Sequence, residues 1–572
     1  MGMLLLNENM ITFLSEAFRS SIFVVTLLGI GAGLYVFLSK IKSLVFFNWV
    51  DVFVSVVALG YYFFHFSVSN LWTMGTFSLL LIYWAIRLIP RLPYGFLYFG
   101  LLASTFILAL TGYLQYAGIV SANHPYFAVT GPYDSPAIYG GVMCLLLSIL
   151  FTWCLHTGYR KHYKFLYIIT VLMGIICLPV FIIIGCRAAW VALLMVVARS
   201  VYLSRFRCGN DFFAWFRSHA VFRVLIPLLI ILSVYGLYRF KPDSADGRIL
   251  IWKVTLGMVK EKPLTGFGPG GFTAHYMHYQ ASYLEEGGTP RERFLADSNH
   301  LVYNEPLRLM VDYGVAGFLL YACFLYIALI IPRKKDVVTL SAQSLLTGYL
   351  IWGLFAYPDQ TFPMQVIALI ALACLSHRCR KPLWVFRLAA RTCKVLQMVL
   401  LIAAIGLAFT FTEKYRCHRK FYQIMNAYSS NRLDESVKEL ATMESIMQDE
   451  SAYWIYYCML LNKIKSDSVL LDKIVRWEEL YPTPDTYIMK GDLWQRMGQY
   501  DKAETAYLLA NWMVPSRQRA RSRLALLYRR LGRNEEAMCI AHEILTEKVK
   551  VYGFQTHKIH EELKRIFENQ IK

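Results

Sequence analysis

Charge is scarce in this sequence. Only 17% of its 572 residues are Asp, Glu, Lys or Arg, against roughly 25% in soluble domains. Its twelve cysteines are scattered, mostly inside apolar segments, with no CxxC pair and no zinc-ligand spacing. A disulfide scaffold and a structural zinc module are therefore excluded. Three cysteines (Cys417, Cys458, Cys539) fall in the C-terminal region, enough for one disulfide at most. The N-terminal stretch lacks a basic segment followed by a cleavage site, so no removable signal peptide is expected. Disorder and collagen are ruled out by what fills the remaining positions: 57% hydrophobic and 15% aromatic residues. That is the composition of a polytopic membrane protein, long enough to carry one soluble domain as well.

A transmembrane helix needs about 20 mostly apolar residues. Twelve segments qualify: 20–38, 44–66, 71–88, 96–119, 137–156, 165–185, 187–204, 222–239, 314–332, 342–357, 361–377 and 396–413. Lys plus Arg is 58 against 38 for Asp plus Glu. Basic clusters occupy alternate loops: Lys40/Lys42, Arg87/Arg91, Arg160/Lys161/Lys164, Arg205/Arg207/Arg217/Arg223, Arg333/Lys334/Lys335 and Arg378/Arg380/Lys381. Cytoplasmic loops collect such residues, which accounts for the positive excess without nucleic-acid binding. The opposite loops, 67–70, 120–136, the turn at Arg187, 240–313 and 358–360, then lie outside, with the N-terminus and everything after residue 413. In a bacterium, outside is the periplasm.

After residue 413 the apolar runs stop. Gly498-Gln-Tyr-Asp-Lys-Ala503 recurs as Gly532-Arg-Asn-Glu-Glu-Ala537, 34 residues on. That is the tetratricopeptide period, in which small residues let paired helices approach and glycines permit the turn. Tyr507, Ala510 and Pro515 fit the same unit, and Asn431-Arg-Leu-Asp-Glu-Ser436 is a weaker copy. The expected architecture is all-α: residues 1–413 as a membrane domain with a large outer loop at 240–313, and 414–572 as three to four helical hairpins.

Function concentrates in the outer loops. The loop 240–313 carries Asp246-Gly247-Arg248, then Pro263-Leu-Thr-Gly266-Phe-Gly268-Pro-Gly270-Gly271, then Asn299-His300-Leu-Val-Tyr303-Asn304-Glu305. No βαβ unit precedes Gly266, Gly268 and Gly270, so they read as a tight turn close to other backbone or a ligand, not a dinucleotide fingerprint. Gly185-Cys186-Arg187-Ala-Ala-Trp190 interrupts two apolar spans. The fork of Arg187 suits a phosphate or diphosphate, as does that of Arg248, although an interfacial arginine also snorkels to lipid headgroups and Arg248 also suits a solvated helix terminus. Tyr133 and Asp134, in the first long outer loop, are candidates for a sugar pocket, with Asp134 also fitting a turn before Pro136.

The ordered set Arg248…Trp252…Pro263-Leu-Thr-Gly-Phe-Gly…Asn304-Glu305-x-Leu307…Asp312-Tyr-Gly314-x-x-Gly317 resembles the C-terminal module of the O-antigen ligase and polymerase superfamily. Gly185-x-Arg187-x-x-Trp190 resembles its mid-chain arginine motif, and Thr130-Gly-Pro-Tyr-Asp-Ser-Pro136-Ala-Ile-Tyr-Gly-Gly141 its earlier outer-loop motif. The resemblance runs over residues 20–413, and some relatives carry tetratricopeptide tails. It implies a glycosyltransferase of GT-C-like architecture in the bacterial inner membrane that needs no metal or other cofactor. The donor would be a glycan on undecaprenyl diphosphate. The acceptor would be a hydroxyl on lipid A-core, a growing glycan or a protein. Arg187 and Arg248 would bind the leaving diphosphate.

Relatives commonly place a histidine eleven residues before the glycine that opens the next span. Here that residue is Tyr303, a poor base at neutral pH given its usual value near 10, followed by Asn304 and Glu305. His300, one turn earlier if the segment is helical, and Glu305 are both candidate bases. Glu305 also fits an ion pair with an arginine such as Arg308. Tyr303 and Asn304 would line the pocket. A polymerase or a protein oligosaccharyltransferase of the same superfamily is the alternative activity. A secondary transporter with an interaction domain is the rival of another class, disfavoured because the spans hold almost no ionisable residues.

Overall fold

In a computed structural model the described residues are 16–38, 44–64, 71–89, 94–124, 126–155, 164–205, 235–236, 238–329, 336–379, 382–426 and 433–567. Among them every regular element is helical except one two-stranded ribbon. Length and apolarity qualify six helices as spans: Leu71–Leu88, Tyr94–Tyr116, Pro136–Leu155, Lys164–Ile183, Glu305–Leu329 and Ala390–Met425. Ile22–Leu38, Trp49–Gly60, Val337–Gly353 and Phe362–Arg378 are apolar but shorter. Arg187–Arg205 is helical where a span is expected and carries Arg187, Arg199 and Arg205. Most of the expected segment 222–239 lies outside the described residues. Among the described residues, six of the twelve expected spans meet these criteria.

Pro136–Leu155 runs through the middle of the bundle, and its residues 139–150 are all buried. Glycines bring its neighbours in: a Cβ on Gly140 would sit 2.6 Å from that of Cys186, and one on Gly141 would sit 2.9 Å from the Trp352 ring. Gly33 meets Ala404 in the same way, at 2.7 Å. Such close approach lets dispersion hold helices together where no water is available to drive association. The outer faces are apolar as well: Phe165 is 78% and Ile402 65% exposed, the pattern of a surface solvated by lipid rather than water.

One end of the bundle differs from the expected one. The segment 44–66 does not begin as a span: Leu44–Phe47 pairs antiparallel with Trp384–Arg387. The Asn48 side chain accepts from the Val50 N–H at 2.9 Å and starts the helix Trp49–Phe64, an N-cap in the usual manner. Arg87, counted above among loop charges, is 4% exposed and donates twice to the fully buried Asp51, at 2.7 and 2.8 Å. Tyr83 and Ser376 donate to the same carboxylate. A buried carboxylate demands this many partners.

At the other end the chain from 242 to 305 forms the helices Pro242–Glu261, Gly271–Glu286 and Pro290–Leu295. Gly266, Gly268 and Gly270 all adopt left-handed φ values, between 67° and 87°. Their turn docks on backbone, as one of the two sequence readings expected. Phe267 N–H donates to the Val311 carbonyl at 2.8 Å and Gly268 N–H to that of Asp312 at 3.0 Å. Those carbonyls are free because Glu305–Leu329 breaks at Gly314 (φ 61°, ψ −147°). The Val315 N–H then donates to Pro263. A Cβ at Gly314 would lie 2.2 Å from the Leu264 carbonyl oxygen, so only glycine fits.

The 37-residue helix Ala390–Asn426 leads into the C-terminal region. Ser451–Lys463 packs on Asp467–Leu480, Pro484–Arg496 on Tyr500–Met513, and Gln518–Arg530 on Asn534–Thr546. The turns inside these three pairs each hold one left-handed residue: Lys465 (φ 57°), Gly498 (75°) and Gly532 (79°). Leu470, Ala503 and Ala537 follow each turn at the same distance and are fully buried. The first pair escaped the sequence reading because lysine and leucine replace the marker glycine and alanine. The weaker copy at 431–436 begins in residues outside those described.

Candidate functional site

The polar end of the bundle gathers four loop regions around two arginines. Arg187 is the first residue of its helix, placed by the left-handed turn at Gly185 (φ 67°). Its Nη1 donates to the Lys241 carbonyl at 3.3 Å. Arg248 lies within the helix Pro242–Glu261, not at a terminus, and its Nη1 donates to the Phe355 carbonyl at 2.9 Å. Its guanidinium stacks 5.0 Å from the Tyr303 ring centroid. The two cations are near enough to act on each other electrostatically, and both are partly exposed. Like charges held together by surrounding structure make a site that an anion relieves.

The aromatic wall continues from Tyr303 to Tyr357 (5.6 Å between centroids) and on to Trp352. Tyr357 lies close enough to Ser135, in the 120–136 loop, for the two side chains to interact. That loop is tied down by Gln115, whose Oε1 accepts from Gly131 N–H at 2.7 Å and from Thr130 N–H at 3.0 Å. Tyr133 packs beside the core, with its phenol pushed up to about 12 by burial. Asp134 lies in the bend leading into Pro136–Leu155.

The segment 296–304 is not helical, so His300 and Tyr303 do not share a helix face; Tyr303 instead takes a left-handed φ of 56°. His300 turns toward the C-terminal region, edge-on to Tyr481 at 6.1 Å, and burial pushes its imidazole down to about 4. Asn304 caps the next helix, accepting from Leu307 N–H at 3.0 Å while its Nδ2 donates to Leu354 at 3.2 Å.

Glu305 is 1% exposed and forms the ion pair expected for it: Arg308 Nε donates to it at 2.6 Å, and Asp359 N–H at 3.1 Å. Arg308 also reaches Asp312 (3.1 Å) and Asp359 (3.3 Å). Its fork thus joins the glycine turn, the Gly314 break and the 358–360 turn, so Gly266, Gly268 and Gly270 position the site through backbone.

A cavity of about 190 Å³ opens beside Arg248, lined by Ser244, Gly247, Asp297, Asn299 and Tyr303 among others. An open, almost wholly apolar groove of about 380 Å³ lies among Phe151, Phe181, Trp190 and Leu194, with Trp190 one turn along the helix that Arg187 begins. Sequence reasoning missed Asp297, Phe355, Tyr357 and Asp359. The last three belong to a short loop at the same end of the bundle, whose Tyr-Pro-Asp run was the available signal.

These features define a multi-pass membrane protein with a cationic, aromatic-lined cleft at one end of its bundle. The O-antigen ligase family model (Wzy_C) matches residues 139–322, about a third of the chain. That stretch holds both arginines, the glycine turn and the helix break, and the match supports an O-antigen ligase-type membrane glycosyltransferase. No curated protein matches the chain.

Proposed function

We propose that this protein transfers a glycan from undecaprenyl diphosphate to a hydroxyl acceptor at the periplasmic face of a bacterial inner membrane. The observation that carries the reading is the convergence of Arg187 and Arg248, two guanidiniums on different helices acting on each other at one cleft. Breaking a sugar–diphosphate bond puts negative charge on the leaving group, and preorganised cations stabilise it without a metal. The apolar groove beside Trp190 suits part of a polyprenyl chain. The aromatic wall of Tyr303, Tyr357 and Trp352 offers flat apolar faces to sugar rings. The paired C-terminal helices serve as tetratricopeptide-like repeats on the same side, where lipid A-core, a growing glycan or a protein would be received.

The test compares glycans in the host with and without the gene, and with an Arg187→Ala copy. Long glycans accumulating on undecaprenyl diphosphate, with uncapped acceptor, are expected from both the deletion and the variant. Acceptor carrying a single repeat unit would identify a polymerase instead, and unglycosylated envelope proteins an oligosaccharyltransferase. Unchanged glycan pools would refute the reading and favour transport or scaffolding instead.

A further inference from the structure

The C-terminal helices are not merely tethered to the membrane domain. Phe272, Tyr276 and Met277 of the loop share one hydrophobic core with Tyr507, Met513 and Ala520 of the repeats. The buried Gln280 donates to the Met513 carbonyl at 2.6 Å and to the Asp297 carbonyl at 3.1 Å. Arg517 Nη2 donates to Asp297 Oδ1 at 2.5 Å, an oxygen that also accepts from Ser298 N–H at 2.9 Å. Lys550 stands 3.8 Å from Oδ2, beyond hydrogen-bond length. Asp297 therefore has one carboxylate oxygen fixed by the repeat domain and the other left for a further donor. Its side chain is 37% exposed and lines the same cavity as Arg248. Neither His300 nor Glu305 lines that cavity.

We propose that the repeat domain completes the transfer site, with Arg517 and Lys550 as positioning residues that hold Asp297 to accept the proton of the acceptor hydroxyl. This rests on the glycosyltransferase reading above. In the step, the acceptor O–H proton passes to Asp297 Oδ2 and the acceptor oxygen bonds to the anomeric carbon. The bond from that carbon to the diphosphate oxygen breaks, and its electron pair leaves with the diphosphate toward Arg187 and Arg248. A carboxylate within hydrogen-bond reach of the proton it takes accelerates such a step by about 10²–10⁴-fold. Tail and membrane domain then form one catalytic unit, and an acceptor reaches the cleft along the seam between them.

The test uses the full-length chain in a host lacking the gene, reading glycan transferred from the native undecaprenyl-diphosphate pool. Thermal stability of each variant is measured on purified full-length protein. Asp297→Asn is expected to lower transfer by about 10²-fold or more with thermal stability retained. The exchange Asp297→Arg with Arg517→Asp re-forms the ion pair but puts no carboxylate on the cavity wall. It is expected to stay inactive, and Arg517→Lys to keep partial activity. Near-normal transfer by Asp297→Asn, or by the exchange, would show a mere domain fastener and overturn the proposal. No difference in any glycan pool between host and gene loss would instead sink the glycosyltransferase reading itself.

Discussion

Removing Arg308 probes the junction that positions the cleft. Its side chain is 14% exposed, and its guanidinium touches three carboxylates: Glu305 (1% exposed), Asp312 (5%) and Asp359 (33%). In Arg308→Ala two buried carboxylates lose their cation at once. Breaking a buried pair by deleting one partner costs about 3–5 kcal/mol, because the remaining charge stays buried and uncompensated. Asp312 also accepts from Phe272 N–H and Glu305 from Asp359 N–H, so part of each charge stays satisfied and the lower end of that range applies. A loss of about 3 kcal/mol multiplies the open population of the junction roughly a hundredfold. Limited proteolysis of the full chain in detergent reads that population directly when opening is fast relative to cleavage. Cleavage between residues 296 and 315 is expected to accelerate about a hundredfold in Arg308→Ala. Adding Glu305→Gln and Asp312→Asn should return most of the protection, since neutral groups no longer need the cation. Protection in Arg308→Ala equal to the wild type would refute the electrostatic account of the junction.

Three further outcomes are expected. His300 has its imidazole pushed down to about 4, so the folded state holds it neutral while the unfolded chain protonates it near 6.5. Its stability is complete above about pH 6.5 and is lost as pH falls from there toward 4, by up to about 3 kcal/mol; thermal melts should show that His300→Gln removes this loss. Lys465→Gly relieves a left-handed lysine costing about 1–2 kcal/mol, less the added freedom of glycine in the unfolded chain, and should raise the melting temperature slightly. Gly141→Ala drives a methyl into Trp352 and should cost about 1–3 kcal/mol and depress transfer. Gly174→Ala, with nothing within 4 Å of its new Cβ, should do neither, and equal effects at the two sites would count against the packing argument.

Periodicity carried the helical class, the positions of most apolar helices and the two helix pairs that turn at Gly498 and Gly532. These are local properties, repeated along the chain at fixed spacing. Glycines at 266, 268 and 270 were legible as a turn, and Glu305 as an ion-pair partner of Arg308, three residues on and so on one helix face. The cleft was only half legible. Arg187, between two apolar spans, and Arg248, in the long loop, were legible as candidate phosphate ligands, but their proximity depends on contacts between residues 54 and 107 positions apart. Asp297 carried no signal of its own in the sequence, since the arginine that holds it, Arg517, lies 220 residues away. The two-stranded ribbon and the burial of Arg87 were equally hidden, since pairing partners and counter-ions come from distant segments. Sequence alone determined which segments are helical and apolar, because backbone propensity and hydropathy act within a few turns. Tertiary structure decided which charges are neutralised, which face an open cavity and which domain holds them, because burial and Coulomb energy depend on neighbours that only folding supplies.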